Sequence, residues 1–342
     1  MRAAGCRLRA ARGTLRAIIV IAALLCIATG KLVAQTELVI VGGLGGEAKY
    51  SATFARLGGT LAKAAHQRWG IPDSSITWLV EDSASKSPWT RGVSTKANVV
   101  TAVERAARRT SNSGQVVLVF IGHGSGEGLD SRISLPGPDL TAAELRSLLA
   151  RWPAHRIAVI DLTSASGDLL PLISATGRVV VTATKSSFER NESRFGEYFV
   201  AALSGDGADV DKDGRVSLLE AFRYATAETK RFYDTESRLA TEHAQLDDNG
   251  DGTGSADPTG RSGDGMLARR FFLAAGPAAR TGTSSSQLES LYNEQDRRRD
   301  AIDALKVRKA AMPVETYEVA LEKLLVEFAV AARAIRAAEG VK

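Results

Sequence analysis

Short apolar segments alternate with longer segments of helical spacing between Thr36 and about Gly276. The apolar segments are rich in Val and Ile and cover residues 36–41, 76–80, 116–121, 156–161 and 178–184. Continuous apolar runs of this length are typical of strands that are buried on both faces of a mostly parallel sheet. The alternation predicts an α/β domain over residues 36–276, built as a three-layer α/β/α sandwich.

The segments between the predicted strands carry the signals of amphipathic helices. Apolar residues recur at helical spacing over Ala52–Trp69 and Lys96–Arg109. Thr141 and Glu144 are placed as a capping box, which opens a helix that we expect to run to about Arg151. These signals place helices after three of the predicted strands.

The C-terminal part of the chain has a different pattern. Residues 277–287 are small and polar and predict a linker. Residues 288–338 predict a helical hairpin or a short coiled coil, because apolar positions recur at spacings of three and four. In the second helix these positions are Val314, Tyr317, Leu321, Leu324, Phe328, Ala331 and Ile335, and in the first they are Leu288, Leu291, Ile302 and Leu305, interrupted by Gln295 and Arg298. Two interpretations remain open, packing against the α/β domain and association with a second subunit or another protein.

Residues 1–34 have the composition of a secretory signal peptide. Five arginines precede an unbroken apolar run from Ala17 to Ala28. Such a run is too short for a membrane span and suits the middle of a signal segment. Small residues at Ala28, Gly30 and Ala34 favour cleavage after Gly30 or Ala34. The sequence thus predicts a periplasmic or extracellular protein, with an uncleaved membrane anchor as the alternative.

Removal of this leader changes the charge and the cysteine content of the chain. The formal charge of +5 includes six basic residues of the leader, so the remaining chain has 38 basic and 39 acidic residues. That balance gives no reason to expect nucleic-acid binding. Both cysteines, Cys6 and Cys26, also lie in the leader. The mature chain is therefore expected to have no disulfide, no thiolate nucleophile and no sulfur-ligated metal.

Residues 209–220 match the twelve-residue calcium loop of an EF-hand. Oxygen-bearing side chains fall at the first, third, fifth, ninth and twelfth positions, and Gly214 falls where the loop turns sharply. The seventh position contributes its backbone carbonyl. The predicted ligands are Asp209, Asp211, Asp213, Arg215, Ser217 and Glu220. The alternative is a solvated acidic turn that caps the helix starting near Ser217.

A second acidic loop follows at Asp247, Asn249 and Asp251, with Gly252 at the turn and Ser255 at the ninth position. Its twelfth position is Pro258, so the bidentate acid of an EF-hand is missing. Calcium binding and a flexible polar loop both remain open for this segment.

Two strand ends carry the candidate chemistry. His123 lies between glycines at the end of the third predicted strand, where open α/β folds place their sites. The fourth predicted strand ends in Asp161 and is followed by Leu-Thr163-Ser164-Ala-Ser166-Gly167. These ends resemble those of caspases, legumains and their bacterial relatives, in which one strand ends in His-Gly and the next leads to a cysteine nucleophile and a Ser-Gly turn.

The resemblance covers about residues 36–235 and is closest to the bacterial legumain-like branch. It extends over Thr182–Ser187 and the helix start at Phe195–Phe199. It implies a caspase-type fold and places the missing cysteine at Thr163 or Ser164. A serine or threonine hydroxyl needs a well-placed base before it can replace a thiolate. We therefore expect a pseudo-peptidase that binds a protein or peptide; a peptidase with a Ser or Thr nucleophile and His123, or a calcium-stabilised structural module, are the alternatives.

Overall fold

The computed structural model of this chain describes residues 36–82, 87–110, 114–152, 156–210, 214–259, 263–273 and 285–339. By contacts, the chain divides into the units Met1–Val33 and Ala34–Lys342, and all described residues belong to the second unit. The predicted leader, most of the predicted linker, and Asp211 and Asp213 of the first acidic loop lie outside the described residues.

A seven-stranded sheet forms the centre of the domain, in the order β10-β9-β8-β4-β1-β2-β3. Neighbouring strands are parallel except for β10, which runs antiparallel to β9 at one edge. A small antiparallel sheet, β5-β6-β7, follows β4. The strands are β1 (Thr36–Gly42), β2 (Ile76–Val80), β3 (Thr90–Val93), β4 (Gln115–Ile121), β5 (Gly124–Ser125), β6 (Arg132–Ile133), β7 (Leu140–Thr141), β8 (Arg156–Asp161), β9 (Arg178–Thr182) and β10 (Gln245–Asp247).

Helices cover both faces of the large sheet. They are α1 (Ala48–Gln67), α2 (Lys96–Arg109), α3 (Ala142–Leu149), α4 (Leu170–Ile173), α5 (Phe195–Ser204) and α6 (Leu218–Thr235), followed by α7 (Ser285–Val307) and α8 (Val314–Glu339). The side chains of β1 alternate between the two faces of the sheet. Leu38 and Ile40 pack with α1, α5 and α6 on one face. Val39 and Val41 pack with α2, α3 and α4 on the other face. Because both faces are covered, strands such as β4 are buried along their whole length.

The predicted fold class is confirmed: an α/β domain with a mostly parallel sheet between helices, followed by a helical segment. The capping box of Thr141 and Glu144 is present, and α2 has the predicted bounds. Several element ends differ from the prediction, since α1 spans Ala48–Gln67, β9 ends at Thr182 and α7 begins at Ser285. The short strands β3, β5 to β7 and β10 were missed because their few residues carry no apolar run.

The helices α7 and α8 form the predicted hairpin. Tyr317, Ala331 and Ile335 of the predicted seam are buried. The two interrupting residues do not break the contact, because Gln295 is buried and Arg298 Nε lies 3.3 Å from Glu327 Oε2 on α8. The polar positions of α7 are thus accommodated within the hairpin.

The hairpin also contacts the α/β domain. The Tyr292 ring of α7 is buried, with the guanidinium groups of Arg269 and Arg270 at 5.6 and 4.9 Å from its centroid. The carbonyl of Arg270 accepts a hydrogen bond from Arg156, the first residue of β8, at 3.2 Å. This contact therefore lies at the amino end of β8, whereas Thr163 and Ser164 follow its carboxyl end.

Within the described part of the chain, no helix combines the length and the apolarity that a membrane span requires.

Candidate functional site

The candidate site lies where the order of the sheet reverses. From β1 the chain builds outward through β2 and β3, and then returns to the other side of β1 with β4, β8 and β9. The loops after β1 and β4 therefore leave a crevice at the carboxyl ends of two central strands, which is where open α/β sheets bind their ligands. His123 is the second residue after β4 and lies at this crevice.

Two aromatic side chains of α1 hold the half-buried His123 ring. The ring centroids of Tyr50 and Phe54 lie 4.8 and 5.1 Å from that of His123, both in edge-to-face arrangements. Such contacts orient the imidazole without using its nitrogens. The ring thus has a fixed position and remains chemically available.

The structure separates the two candidate positions for a nucleophile. Ser164 and His123 line the same small cavity, of about 20 Å³, together with Phe54 and Leu162. Thr163 instead lines a void of about 10 Å³ with Asp161. Of the two hydroxyls, Ser164 is therefore the one that shares a cavity with His123.

Ser164 Oγ is engaged with the backbone instead of with His123. It accepts a hydrogen bond from the Gly124 amide at 3.4 Å. A Cβ atom on Gly124 would lie 2.4 Å from the Ser164 carbonyl oxygen, so the two strand ends can approach only because residue 124 is glycine. Among the described residues, no hydrogen bond joins the His123 ring to Ser164 Oγ.

Asp161 is a fully buried carboxyl beside the candidate position. Burial raises its pKa to about 7, and the neighbouring Thr163 partly opposes the rise. The Thr163 amide donates to Asp161 Oδ1 at 3.0 Å, while Thr163 Oγ1 has no hydrogen-bond partner among the described residues. A void of this size is near the minimum for one water molecule. Asp161 and Thr163 thus form a buried polar pair behind the cavity of His123 and Ser164.

The Ser166-Gly167 turn has a structural role. Ser166 Oγ accepts hydrogen bonds from the amides of Ala183 and Thr184, at 3.1 and 3.2 Å. A Cβ atom on Gly167 would lie 2.1 Å from the carbonyl carbon of Lys185, so no other residue fits there. Ala165, between Ser164 and Ser166, has a φ of 54°, a backbone conformation that alanine rarely adopts. The turn therefore fixes the backbone after Ser164 by close contact with the chain beyond β9.

Asp168 joins two loops at the same edge, and sequence reasoning missed it. Its Oδ2 accepts from the Gly128 amide and its Oδ1 accepts from the Ser187 amide, each at 3.2 Å. The partners lie 40 and 19 residues away, so no local pattern indicates the contact. In the sequence, the signal for this contact is that Asp168 directly follows the Ser166-Gly167 turn.

The described part of the first acidic loop brings its first and last predicted ligands to the same side of the loop. Gly214 has a positive φ, and its amide donates to Asp209 Oδ2 at 3.0 Å. Glu220 Oε1 accepts from the Val210 amide at 3.1 Å, so the last predicted ligand reaches back beside the first. Both carboxylates are buried. Taken alone, the described residues include no group of three His, Cys, Asp or Glu that would hold a metal, and Asp211 and Asp213 are not among them.

The side-chain oxygens of the second acidic loop accept hydrogen bonds from the loop's own backbone amides. Asp247 accepts from the amides of Gly250 and Gly252 at 3.0 Å each, and Asn249 and Asp251 also accept amides of the loop. Burial, together with the charges of Asp247 and its acidic neighbours, raises the pKa of Asp264 to about 6. Asp264 was not identified from the sequence because it follows 17 residues after Asp247. The loop carries several acidic side chains, but their oxygens bond to backbone amides of the loop, as in a turn that is closed by its own side chains.

Asp248, which the sequence motif did not use, anchors a distant turn. It accepts the amides of Gly265, Leu267 and Ala268, at 2.8, 2.7 and 2.7 Å. This explains how the second acidic loop is fixed against the segment that leads to Arg270.

Comparison of the chain with protein-family models and with curated proteins gives no match to a family or to a relative.

Proposed function

We propose that this protein is an exported, calcium-binding pseudo-peptidase that resembles the caspase and legumain class, and that its cleft binds a polypeptide segment. The observation that carries the proposal is that His123 and Ser164 line one cavity at the carboxyl edge of the sheet. Ser164 is one of the two positions at which the resemblance places the missing cysteine. Its hydroxyl is held by the Gly124 amide and not by a base, which favours binding over hydrolysis.

Exposed apolar side chains at the same edge support a polypeptide partner. Leu44 follows β1, Leu129 lies in the turn after β5, and Phe188 lies in the loop after β9, with exposures of 42, 55 and 77%. Asp168 holds the loops of Leu129 and Phe188 together. Exposed apolar groups around a cleft are typical of protein and peptide binding sites.

The calcium part of the proposal rests on the first acidic loop. Asp209, Asp211, Asp213, Ser217 and Glu220, with the Arg215 carbonyl, would hold the ion, which would supply positive charge between buried carboxylates and so stabilise the loop. Export to the periplasm or the extracellular space rests on the leader sequence, which contains both cysteines. A hydroxyl peptidase using Ser164 and His123 is the second candidate, because the two share a cavity.

A peptide panel tests the proposal. Fluorescent peptides with Asn, Asp, Arg or Lys at the central position are titrated against the protein, while hydrolysis is followed in the same samples. We expect binding without turnover, and weaker binding after Phe188→Ser. Val319→Ser, a change of an exposed valine on α8, is the matched control and should leave binding unchanged.

Two other results would replace the proposal. Turnover by the parent that Ser164→Ala abolishes would favour the hydroxyl peptidase. Absence of both binding and turnover over the whole panel would favour a calcium-stabilised structural module.

A further inference from the structure

A histidine–carboxylate pair joins the loop after β9 to the segment that leads into β10. The His243 ring nitrogen Nδ1 lies 2.5 Å from Glu189 Oε1, and the His243 amide donates to Glu189 Oε2 at 3.0 Å. The side chain of Glu189 is 10% exposed and that of His243 is 45% exposed. Both oxygens of a nearly buried carboxylate therefore contact one residue, which solvent can reach. We call this pair the Glu189 clasp.

The clasp is connected to the backbone beside the candidate nucleophile position. The carbonyl of Glu189 accepts a hydrogen bond from the Ala165 amide at 2.8 Å, and Ala165 directly follows Ser164. Ala165 has a φ of 54°, a conformation that persists only where the surroundings hold it. Glu189 is thus one of the residues that fix the chain at Ser164.

The same carboxylate closes the turn that presents Phe188 at the cleft. Glu189 Oε2 accepts a hydrogen bond from the Lys185 amide at 2.9 Å, and the Glu189 amide donates to the Ser186 carbonyl at 3.3 Å. Phe188, which is 77% exposed, lies inside this turn and directly precedes Glu189. The position of Phe188 therefore depends on the residue that His243 holds.

The charged groups around the clasp make His243 the one that responds to pH. On the loop, Lys185 Nζ lies 3.9 Å from Glu189 Oε1. The next residue, Arg190, pairs with Glu127 at 3.6 Å. The groove that His243 lines, beside α6, contains Lys230, Asp234, Arg238 and Glu242. Lysine, arginine and carboxylate groups ordinarily keep their charges from about pH 5.5 to 8, whereas an imidazole changes its charge in this range.

We propose that the Glu189 clasp makes peptide binding in the cleft of His123 and Ser164 sensitive to pH. Protonation of His243 makes its hydrogen bond to Glu189 charge-assisted, and such bonds are about twice as strong as neutral ones. The stronger pair holds the turn of Phe188 and the backbone after Ser164, so a peptide meets a preorganised cleft. At higher pH the pair weakens and the loop gains freedom. The inference rests on the proposed peptide binding, but the clasp can be measured without a peptide.

Hydrogen exchange with mass spectrometry measures the clasp in the purified protein. Exchange over residues 185–190, corrected for the intrinsic effect of pH, should be about three- to tenfold slower at pH 6 than at pH 8. Glu189→Gln and His243→Gln should each remove most of this difference, and the double variant should remove no more. His243→Gln alters an exposed side chain, so it tests the clasp even where Glu189→Gln unfolds the loop.

The chain offers a matched control for His243. His66 pairs with Asp73 at 2.9 Å and is also 45% exposed, but it lies in the last turn of α1. His66→Gln should therefore keep the difference in exchange that the parent shows. Equal corrected exchange by the parent at pH 6 and pH 8, or a difference that His243→Gln retains, would overturn the proposal.

Peptide titration extends the test to the cleft. The parent and His66→Gln should bind peptides about three- to tenfold more tightly at pH 6 than at pH 8, and the two clasp variants should show a smaller change. His123 is present in all of these proteins, so its own ionisation cancels in the comparison. A pH dependence of binding that is equal in the parent and both clasp variants would refute the regulation. Exchange that depends on His243 in a protein that binds no peptide would support the clasp and overturn the proposed function.

Discussion

The amide of Gly124 donates a hydrogen bond to Ser164 Oγ at 3.4 Å, so the ends of β4 and β8 touch directly beside His123. The contact places Ser164, and not Thr163, in the cavity that His123 lines. Thr163 lies against the buried carboxyl of Asp161. The hydroxyls of Thr163 and Ser164 therefore lie in different electrostatic surroundings. A thiol introduced at each position should have a different pKa, which can be measured.

Replacement by cysteine should distinguish the two positions. In Ser164→Cys the thiol would share its cavity with His123, and a nearby imidazolium lowers a thiol pKa. In Thr163→Cys the thiol would lie in a buried void beside a carboxyl, which raises its pKa. A pKa lower by about one unit increases the thiolate fraction about tenfold at pH values below the pKa. We expect the lower thiol pKa, and faster alkylation, in Ser164→Cys.

The control is the removal of the imidazole. His123→Ala should raise the thiol pKa of Ser164→Cys and leave that of Thr163→Cys unchanged, as measured by the ultraviolet absorbance of the thiolate. Equal pKa values in the two cysteine variants would contradict the assignment of Ser164. Peptide cleavage by Ser164→Cys that depends on His123 would show in addition that the cleft retains the geometry of a peptidase.

Calcium is expected to raise the melting temperature. Ligands that bind only the folded loop stabilise it by mass action, by about 2.7 kcal/mol at a hundredfold excess over the dissociation constant. Glu220→Gln should reduce this increment, because glutamine removes the charge of the last predicted ligand. Differential scanning calorimetry with calcium and with chelator measures the increment directly.

A second capping box supplies the control for this variant. Glu220 also caps α6 through the Ser217 amide and hydroxyl, at 3.0 and 2.9 Å, so its replacement changes the apo stability as well. Glu144 makes the same bonds to Thr141 at the start of α3. Glu144→Gln should therefore lower the melting temperature in both conditions and leave the calcium increment intact. Identical melting curves of the parent with calcium and with chelator would refute calcium binding.

The fold and the candidate site differ in how far the sequence predicts them. Strands buried on both faces leave continuous apolar runs, and a capping box is a local pattern, so β4, β8 and the start of α3 are predictable. The separation of Thr163 from Ser164 is not, because it depends on which side of the turn each hydroxyl faces. Asp168 bonds to segments far along the chain, and Arg298 acts across the hairpin, so periodicity carries no signal for them.

Asp161 predicts how stability depends on pH. Its pKa is about 7 in the folded protein and 3.8 for an ordinary aspartate, so the folded state holds a proton that the unfolded state releases between these values. Stability should therefore be highest below about pH 4 for this group and fall as the pH rises to about 7. Asp161→Asn keeps an acceptor for the Thr163 amide and cannot ionise. The variant should gain stability relative to the parent as the pH increases.

Urea unfolding at several pH values measures this difference. Asp130→Asn changes an exposed aspartate and should show no pH-dependent gain. A gain by Asp161→Asn that is the same at pH 4 and pH 8 would indicate a packing effect, and would contradict the raised pKa.

The outer face of α8 predicts association of the chain. Tyr317, Ala331 and Ile335 are buried inside the hairpin, so the apolar surface left for a partner is a stripe of Val319, Val326 and Val330, with exposures of 65, 58 and 51%. Spacings of seven and four place these valines on one side of the helix, roughly opposite the buried seam.

A charge in this stripe should prevent association. We expect the protein to self-associate at high concentration in light scattering, and Val326→Glu to shift it toward the monomer, because a carboxylate would have to be desolvated in the contact. Val314→Glu is the matched control: Val314 is 72% exposed on the same helix but, at 3.6 residues per turn, lies well away from the stripe, and a glutamate suits the first turn of a helix. A chain that ends at residue 276 should behave as Val326→Glu does. A parent that stays monomeric at every concentration would refute self-association through α8, and association that Val326→Glu leaves unchanged would place the contact elsewhere.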